Sequence, residues 1–254
     1  MATPGSPHPN GPWGRLACRV TGLEQATHDV RIVRLEPDDG RRLAFKPGQY
    51  AAVRFGELPA RDYSMASPPG ARHLEFHIRA MSDSGASAYV AERLALGDTA
   101  ILEGPLGEAY LRAEHRGPIL AIAGGTGLAP MQAIVESALA GDPRRRIALY
   151  FGVRAARDLY RLEAFRALAA RHAGFRFEPL VSDPASGHRP PSHRVGLPAG
   201  AALADLPELA GFKAYLAGPP AMVGDAVAAL LAAGLPEADI HADPFINEHE
   251  KAGA

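Results

Sequence analysis

The sequence predicts a two-part fold, an antiparallel β-barrel followed by an α/β unit built on a parallel sheet. Three observations carry this. The hydrophobic period is two up to about His115, and beyond it short apolar strands alternate with helices. The length, 254 residues, fits one large domain or two ordinary ones, each able to bury a core.

In the N-terminal half, "HLEFHIRAM" sets Leu74, Phe76, Ile78 and Ala80 against Glu75, His77 and Arg79, the alternation of a half-buried strand. "LACRVTGLE", "HDVRIVRLE", "GQYAAVRF" and "TAILE" read as further strands, separated by turn clusters such as "PDDGRR" and "KPGQ". With one helix among them, about Ala86 to Leu96, these strands suit a closed or nearly closed barrel. Farther on, "ILAIA", "RIALYFGV", "FRFEPLV" and "KAYLAG" are strands, and "LAPMQAIVESALAG", "RLEAFRALAARHAG" and "PAMVGDAVAALLAAG" are helices. Such alternation implies right-handed crossovers and a parallel sheet covered on both faces. The expected organisation is a flexible tail over 1–14, a barrel over 15–114 and the α/β unit over 115–254, joined at "RAEHRGP". The Pro-, Gly- and Ala-rich run from Asp183 to Leu209 reads as a long connection.

Composition excludes several classes. The formal net charge is −1, so no global field favours nucleic acid or a membrane surface. Ile119 to Val135 carries no charge, but its glycines, proline and glutamine suit a strand, turn and helix better than a membrane span. The first fourteen residues lack the basic and apolar regions of a signal peptide, which makes the cytoplasm the expected location. The single cysteine, Cys18, excludes an intrachain disulfide and any four-thiolate cluster built by these residues, and on a strand it suits a small core side chain. The ten histidines lack i, i+4 spacing on a helix, so no metal site is expected. Nothing in the size requires oligomerisation, and a monomer is the expectation.

Three turns are ready for a ligand. "AGGTGLAP" follows a buried strand and opens a helix, where free N–H groups and the helix dipole favour a phosphate; Gly124, Gly125 and Gly127 allow close approach. It is neither a G-x-G-x-x-G fingerprint nor a P-loop, and alone it is as easily a tight turn without ligand. "LAGPPAMV" joins another strand to a helix, and in "FGVRAARDL" Arg154 follows a strand end. In a parallel sheet all three turns share the carboxyl edge, where open α/β sheets bind nucleotides.

In the barrel half, "RDYS" places Arg61, a planar fork of donors, in period two with Tyr63, a flat ring with a polar tip; Ser64 adds a small donor and acceptor. A ring with an attached pyrophosphate, such as a flavin dinucleotide, satisfies them together. "SDSGASAY" offers a second phosphate position near Gly85 and Ser87, at the start of a helix. The alternatives are a core tyrosine, an Arg61 paired with Asp62 or Glu57, and a Ser87 that only caps its helix.

"RDYS", "GPLG", "GGTGLAP", "FGVRAARDL" and "AGPPAMV", in this order between about Leu16 and Phe245, resemble the ferredoxin–NAD(P) reductase superfamily, nearest to the reductase components that feed bacterial oxygenases, without their fused iron–sulfur domain. The resemblance implies FAD on a six-stranded antiparallel barrel, NAD(P)H on a five-stranded α/β domain, and hydride transfer from nicotinamide to flavin. By motif, Arg61 would bind the FAD pyrophosphate with its neighbour Asp62 in the same flavin strand, Tyr63 would stack on the isoalloxazine and Ser64 would sit near its N5. His77, Ile78 and Arg79 would line the ribityl and phosphate region, and Gly85, Ala86 and Ser87 the phosphate. Gly125, Thr126, Arg154, Gly218, Pro219 and Met222 would contact the pyridine nucleotide. Ala217 stands where plant-type members carry a cysteine, and Phe245 is the candidate cover for the flavin's other face, with a core phenylalanine as the alternative. Ser182 followed by Asp183 favours NADH, because a carboxylate repels a 2′-phosphate and accepts from a ribose hydroxyl.

The expected acceptor is a separate ferredoxin or oxygenase component, docked on Arg144–Arg145–Arg146 or on Arg41, Arg42 and Lys46. Two alternatives remain: an NAD(P)H:flavin reductase that releases reduced flavin, and a non-autonomous electron-transfer or nucleotide-sensing subunit.

Overall fold

The computed structural model describes residues 13–80, 85–183 and 193–245. Residues 1–12 of the expected tail, Ser82 to Ser84, and His188 lie outside the described residues. Trp13 is anchored: its indole N–H donates to the Ala44 carbonyl, and its ring meets Phe45 edge to face.

Six antiparallel strands make the first unit: β1 (Arg15–Gln25), β2 (Val30–Pro37), β3 (Tyr50–Phe55), β4 (Arg61–Ser64), β5 (Leu74–Arg79) and β6 (Thr99–Leu106). Their order is β4-β3-β6-β1-β2-β5. A single bridge between Met65 and Phe76 joins the two ends, so the barrel nearly closes and leaves a gap beside β4. Inward positions fill it with Leu16, Cys18, Val33, Leu35, Val53, Phe55, Phe76 and Leu102, all buried. The Cys18 thiol is sealed among them, and burial pushes it up to about 12. Helix α1 (Gly85–Glu92) packs on β5 and β2, and Arg31 Nη1 donates to the Val90 and Leu94 carbonyls at its far end.

The second unit follows at β7 (Ile119–Gly124), then α2 (Leu128–Gly141), β8 (Ile147–Val153), α3 (Leu162–Arg171), β9 (Phe175–Val181), β10 (Arg194–Val195), α4 (Pro198–Asp205), β11 (Lys213–Gly218), α5 (Pro220–Ala232) and β12 (Ile240–Pro244). The parallel sheet runs β10-β9-β8-β7-β11-β12. The sheet therefore has six strands where five were expected, and the two that the sequence motifs do not mark are its edge strands, β10 and β12. The connection expected from Asp183 to Leu209 is also more structured, since it holds β10 and the one-face-buried helix α4. All of β7 is buried, as a central parallel strand covered on both sides requires. Among the described residues no helix is long and apolar enough to cross a membrane; Ile119 to Val135 is β7, a short 3-10 turn and the first half of α2.

Strand β5 departs from its expected half-exposed pattern. Leu74, Phe76 and Ile78 enter the barrel core, but Glu75 and His77 are buried too, because the α/β unit covers their face.

Candidate functional site

Strand β4 lies at the open end of the barrel sheet, paired with β3 through Val53–Arg61, Ala52–Asp62, Ala51–Tyr63 and Tyr50–Ser64. Alternation puts Arg61 and Tyr63 on one face and Asp62 and Ser64 on the other. The Tyr63 ring packs against the barrel core, and burial pushes its phenol up to about 12 against the pull of Arg61. Ser64 is buried.

Two glycine turns meet at the carboxyl edge of the parallel sheet. After β7, residues Gly125–Gly127 form a 3-10 turn that runs into α2; after β11, Gly218 leads to Pro219 and α5. Gly127 packs so tightly that a Cβ there would lie 2.0 Å from the Ala217 carbonyl oxygen. Met222 covers Gly124, and its sulfur would stand 2.5 Å from a Cβ on that glycine. Gly125, at φ +54, faces open space except for one group: a Cβ on it would lie 3.9 Å from the Arg79 guanidinium. Arg79 is itself held by Asp29, Nε to Oδ2 at 2.6 Å. The end of strand β5 and the turn after β7 thus share one cradle.

The third turn joins them. Arg154 follows β8 with 80% of its side chain exposed, and its Nε stands 3.7 Å from Asp183 Oδ2. The Ser182 N–H donates to the Val153 carbonyl and the Asp183 N–H to the Arg154 carbonyl, which fixes the Ser182–Asp183 pair beside Arg154. Phe245 lies just past β12; its N–H donates to the Gly218 carbonyl and its half-buried ring packs on the α/β core.

Not every expected position offers its side chain. Ile78 points into the barrel core and His77 is fully enclosed, so of the three residues expected along the ribityl region only Arg79 presents a side chain to open space. The reason is the second layer over β5, which turns its polar face inward. Ala86 is buried, while Gly85 at φ +87 has open space over it and Ser87 is half-buried in the first turn of α1.

Three groups escaped the sequence reading. Asp243, on β12, comes close to Asp62 and Tyr50; burial first, and then the Asp62 charge, push its carboxyl up to about 6. It lines a cavity of about 270 Å³ with Tyr50, Gly107, Arg112 and His241. Gly107 explains the end of "GPLG": at φ +93, a Cβ there would strike the Tyr50 ring at 2.8 Å. The second group is the cluster around Glu75 and Arg161 at the seam between the units. The third is Tyr160, whose hydroxyl meets His77 Nδ1 at 2.9 Å. Two titratable residues alternating on one strand, Glu75 and His77, were the available signal.

The donor set suits a flavin dinucleotide and a pyridine nucleotide. An arginine and a tyrosine share one face of an edge strand, a glycine with open space over it begins α1, and a glycine cradle carries a cation at its rim.

Comparison with known proteins agrees. Residues 17–110 match the oxidoreductase FAD-binding domain family, and residues 121–228 match the oxidoreductase NAD-binding domain family. The chain is 44% identical, over 89% of its length and 67% of the other's, to the ferredoxin–NAD(P)(+) reductase component of the naphthalene 1,2-dioxygenase/salicylate 5-hydroxylase systems of Ralstonia sp. It is 36% identical to the reductase subunit of an aromatic O-demethylase from an Amycolatopsis species, over 94% of this chain and 70% of that one. The crystal structure of Amycolatopsis cytochrome P450 reductase GcoB matches with a TM-score of 0.84 at 36% identity, over 91% of this chain and 69% of that one. The ferredoxin reductase in carbazole 1,9a-dioxygenase matches at 0.81 and 28% identity, over 91% and 69%.

Proposed function

The chain belongs to the flavoprotein reductases that join an FAD-binding oxidoreductase domain to an NAD-binding one, and on that premise we propose that it takes a hydride from NAD(P)H onto FAD and passes single electrons to a ferredoxin or an oxygenase component. One observation carries the reading. Arg79, on the barrel strand β5, stands at the rim of the Gly125 turn, so the two nucleotide sites open on one another.

When bound, the flavin accepts two electrons at once and releases them one at a time. The chain's own residues position and exclude. Arg61 offers its fork to the pyrophosphate, Tyr63 offers a neutral ring to the flavin face, and Ser64 offers a buried hydroxyl. Gly125 and Thr126 present backbone N–H groups at the entry to α2, and Gly218, Pro219 and Met222 close the other side of the cradle. Phe245 and Asp243 approach from β12 as the cover. Asp183 beside Arg154 favours the free ribose hydroxyl of NADH over a 2′-phosphate. The 254 residues hold one cysteine, sealed in the barrel core, so they build no thiolate cluster and the acceptor's redox centre lies outside them. That acceptor is a one-electron carrier, the domain division falls between β6 and β7, and the reductase works as a monomer in the cytoplasm.

The test is to load the purified protein with FAD, pass it through gel filtration and mix it anaerobically with NADH and with NADPH. Retained yellow flavin that bleaches rapidly, faster with NADH, is the expected result. Loss of flavin on the column points instead to a reductase of free flavin, and retained flavin that neither nucleotide bleaches overturns the catalytic reading.

A further inference from the structure

Glu75 occupies an unusual place. Its backbone is tied to the segment just after "RDYS": the Ala66 N–H donates to the Glu75 carbonyl at 2.8 Å, and the Glu75 N–H donates to Ser67 Oγ at 3.1 Å. Its side chain, only 6% exposed, reaches the other way. Oε1 accepts from Arg161 Nη2 at 2.8 Å and lies 3.3 Å from both Gln132 Nε2 and His77 Nε2, while Oε2 accepts from Arg34 Nε at 2.8 Å. Two of these donors belong to the barrel. The other two belong to the α/β unit: Gln132 sits on α2, one turn beyond the Gly125–Gly127 turn, and Arg161 precedes α3.

The surrounding groups complete the arrangement. The ionised Glu75 only accepts, so His77 donates to it from Nε2, and in the neutral imidazole, which burial favours, Nδ1 then accepts from the Tyr160 hydroxyl. The Tyr160 ring packs edge to face on Phe151 of β8. Arg161 also approaches Glu24 of β1 at 3.8 Å. It is the one non-glycine residue among those described with a positive φ, at 60°, a conformation that persists only where its surroundings dictate it.

A buried ion pair is a poor source of net stability, because desolvation offsets the attraction, but it is demanding about geometry. Contacts between two units of one chain move by default unless something fixes them. Since Glu75 is bonded through its backbone to Ala66 and Ser67, just past β4, and through its side chain to Gln132 and Arg161 of the α/β unit, the geometry points to Glu75 and Arg161 as positioning residues that set the approach of nicotinamide to flavin, an inference that rests on the proposed function. The enclosed His77 has no open surface and plays no part in proton transfer with substrate. Its work is to orient Glu75. Because misplacement of reacting atoms by about 1 Å can cost on the order of 100-fold in rate, a loosened lock shows in the hydride step first.

The experiment uses the FAD-loaded protein and the variants Glu75→Gln, Arg161→Ala and Arg161→Lys. Anaerobic stopped-flow measures the limiting rate of flavin bleaching by NADH, the apparent Kd for NADH and the long-wavelength absorbance of the nicotinamide–flavin contact. Expected for Glu75→Gln and Arg161→Ala are a limiting rate lower by about 10- to 100-fold, a weakened long-wavelength band, a lowered melting temperature because a buried charge loses its partner, and flavin retention close to the wild type at a temperature where the variants are folded. Arg161→Lys, which keeps a cation, recovers part of both. Amide hydrogen exchange along β5, the first turns of α2 and the start of α3 gives a second readout that needs no turnover. Faster exchange in Glu75→Gln at this seam, with β1 and β8 unchanged, supports the lock. Wild-type rate and band in a folded Glu75→Gln or Arg161→Ala, or seam exchange unchanged from the wild type, overturns it. If the wild-type holoprotein is not bleached at all, the functional reading fails, and the exchange measurement still decides whether the two units are locked here.

Discussion

Gly218 lies so close to Gly124 that a Cβ on it would stand 2.7 Å from the Gly124 carbonyl oxygen and 2.9 Å from its Cα. Backbone meets backbone here, between the turns that follow β7 and β11, and the φ of Gly218 is +140°. Gly218→Ala must therefore push the two turns apart, at a cost of about 1–3 kcal/mol in stability. The expected kinetic result is a KM for NADH raised at least about tenfold, with FAD retained, because the barrel is untouched. Steady-state kinetics together with the flavin spectrum after gel filtration check it.

Glu136 shares a cavity of about 530 Å³ with Glu75, Arg34, His73, Arg161 and Arg171. Burial first, and then the Glu75 charge, push its carboxyl up to about 7, against the pull of Arg161 and Arg171. The folded protein therefore holds that proton more tightly than the unfolded chain does. The stability this lends is complete below pH 4.5 and is lost as the pH rises through about 7. Glu75 behaves oppositely: burial opposes its ionisation, but the His77 hydrogen bond and the arginines hold it down at about 2, so its contribution is present above pH 4.5 and fades as the pH falls toward 2. Glu136→Gln is expected to leave stability at pH 4.5 unchanged and to raise it by about 1–2 kcal/mol at pH 8, a figure reduced for partial exposure. Urea melts at the two pH values measure this, and equal differences at both would contradict the placement of the proton.

Tyr63 combines a half-buried ring, packed on the barrel core, with a phenol pushed up to about 12. It stays neutral throughout the working range, so the pH profile of flavin reduction should carry no limb from it. Tyr63→Phe keeps the ring and is expected to change FAD affinity less than about threefold, whereas Tyr63→Leu loses the flat face and weakens it by about tenfold. Flavin fluorescence titration of the apoprotein separates the two.

How much of this was legible depends on what each segment packs against. Strands β7, β8 and β11 read closely from sequence because a strand buried on both faces is a continuous apolar run. The turns at Gly124–Gly127 and Gly218 were legible because only glycine fits a close backbone approach. Helix α4 was hidden by its composition: Pro198 and Gly200 resemble loop, although Pro198 occupies a first-turn position where proline is accepted. Strand β12 was missed because none of its residues is buried, which leaves little hydrophobic signal. The Glu75–His77 face looked solvent-exposed for a deeper reason. Alternation states that a strand has two unlike faces, but not that a second unit, supplying Gln132, Tyr160 and Arg161, covers the polar one.

On the proposed reading, the choice between NADH and NADPH turns on Asp183 and Arg154. Asp183 is fixed by its N–H to the Arg154 carbonyl, and the side chains of the two residues lie 3.7 Å apart. An exposed pair of this kind adds little stability, so its effect is on what approaches it. A 2′-phosphate within about 4 Å of the carboxylate meets a repulsion of roughly 1–4 kcal/mol, whereas a ribose hydroxyl finds an acceptor. Asp183→Ser removes the repulsion and leaves Arg154 to attract the phosphate. The NADPH-to-NADH ratio of kcat/KM is expected to rise about 10- to 30-fold, chiefly through KM for NADPH, and to fall back when Arg154→Ala is added. A ratio unmoved by Asp183→Ser would mean that the adenosine ribose lies elsewhere on the sheet edge.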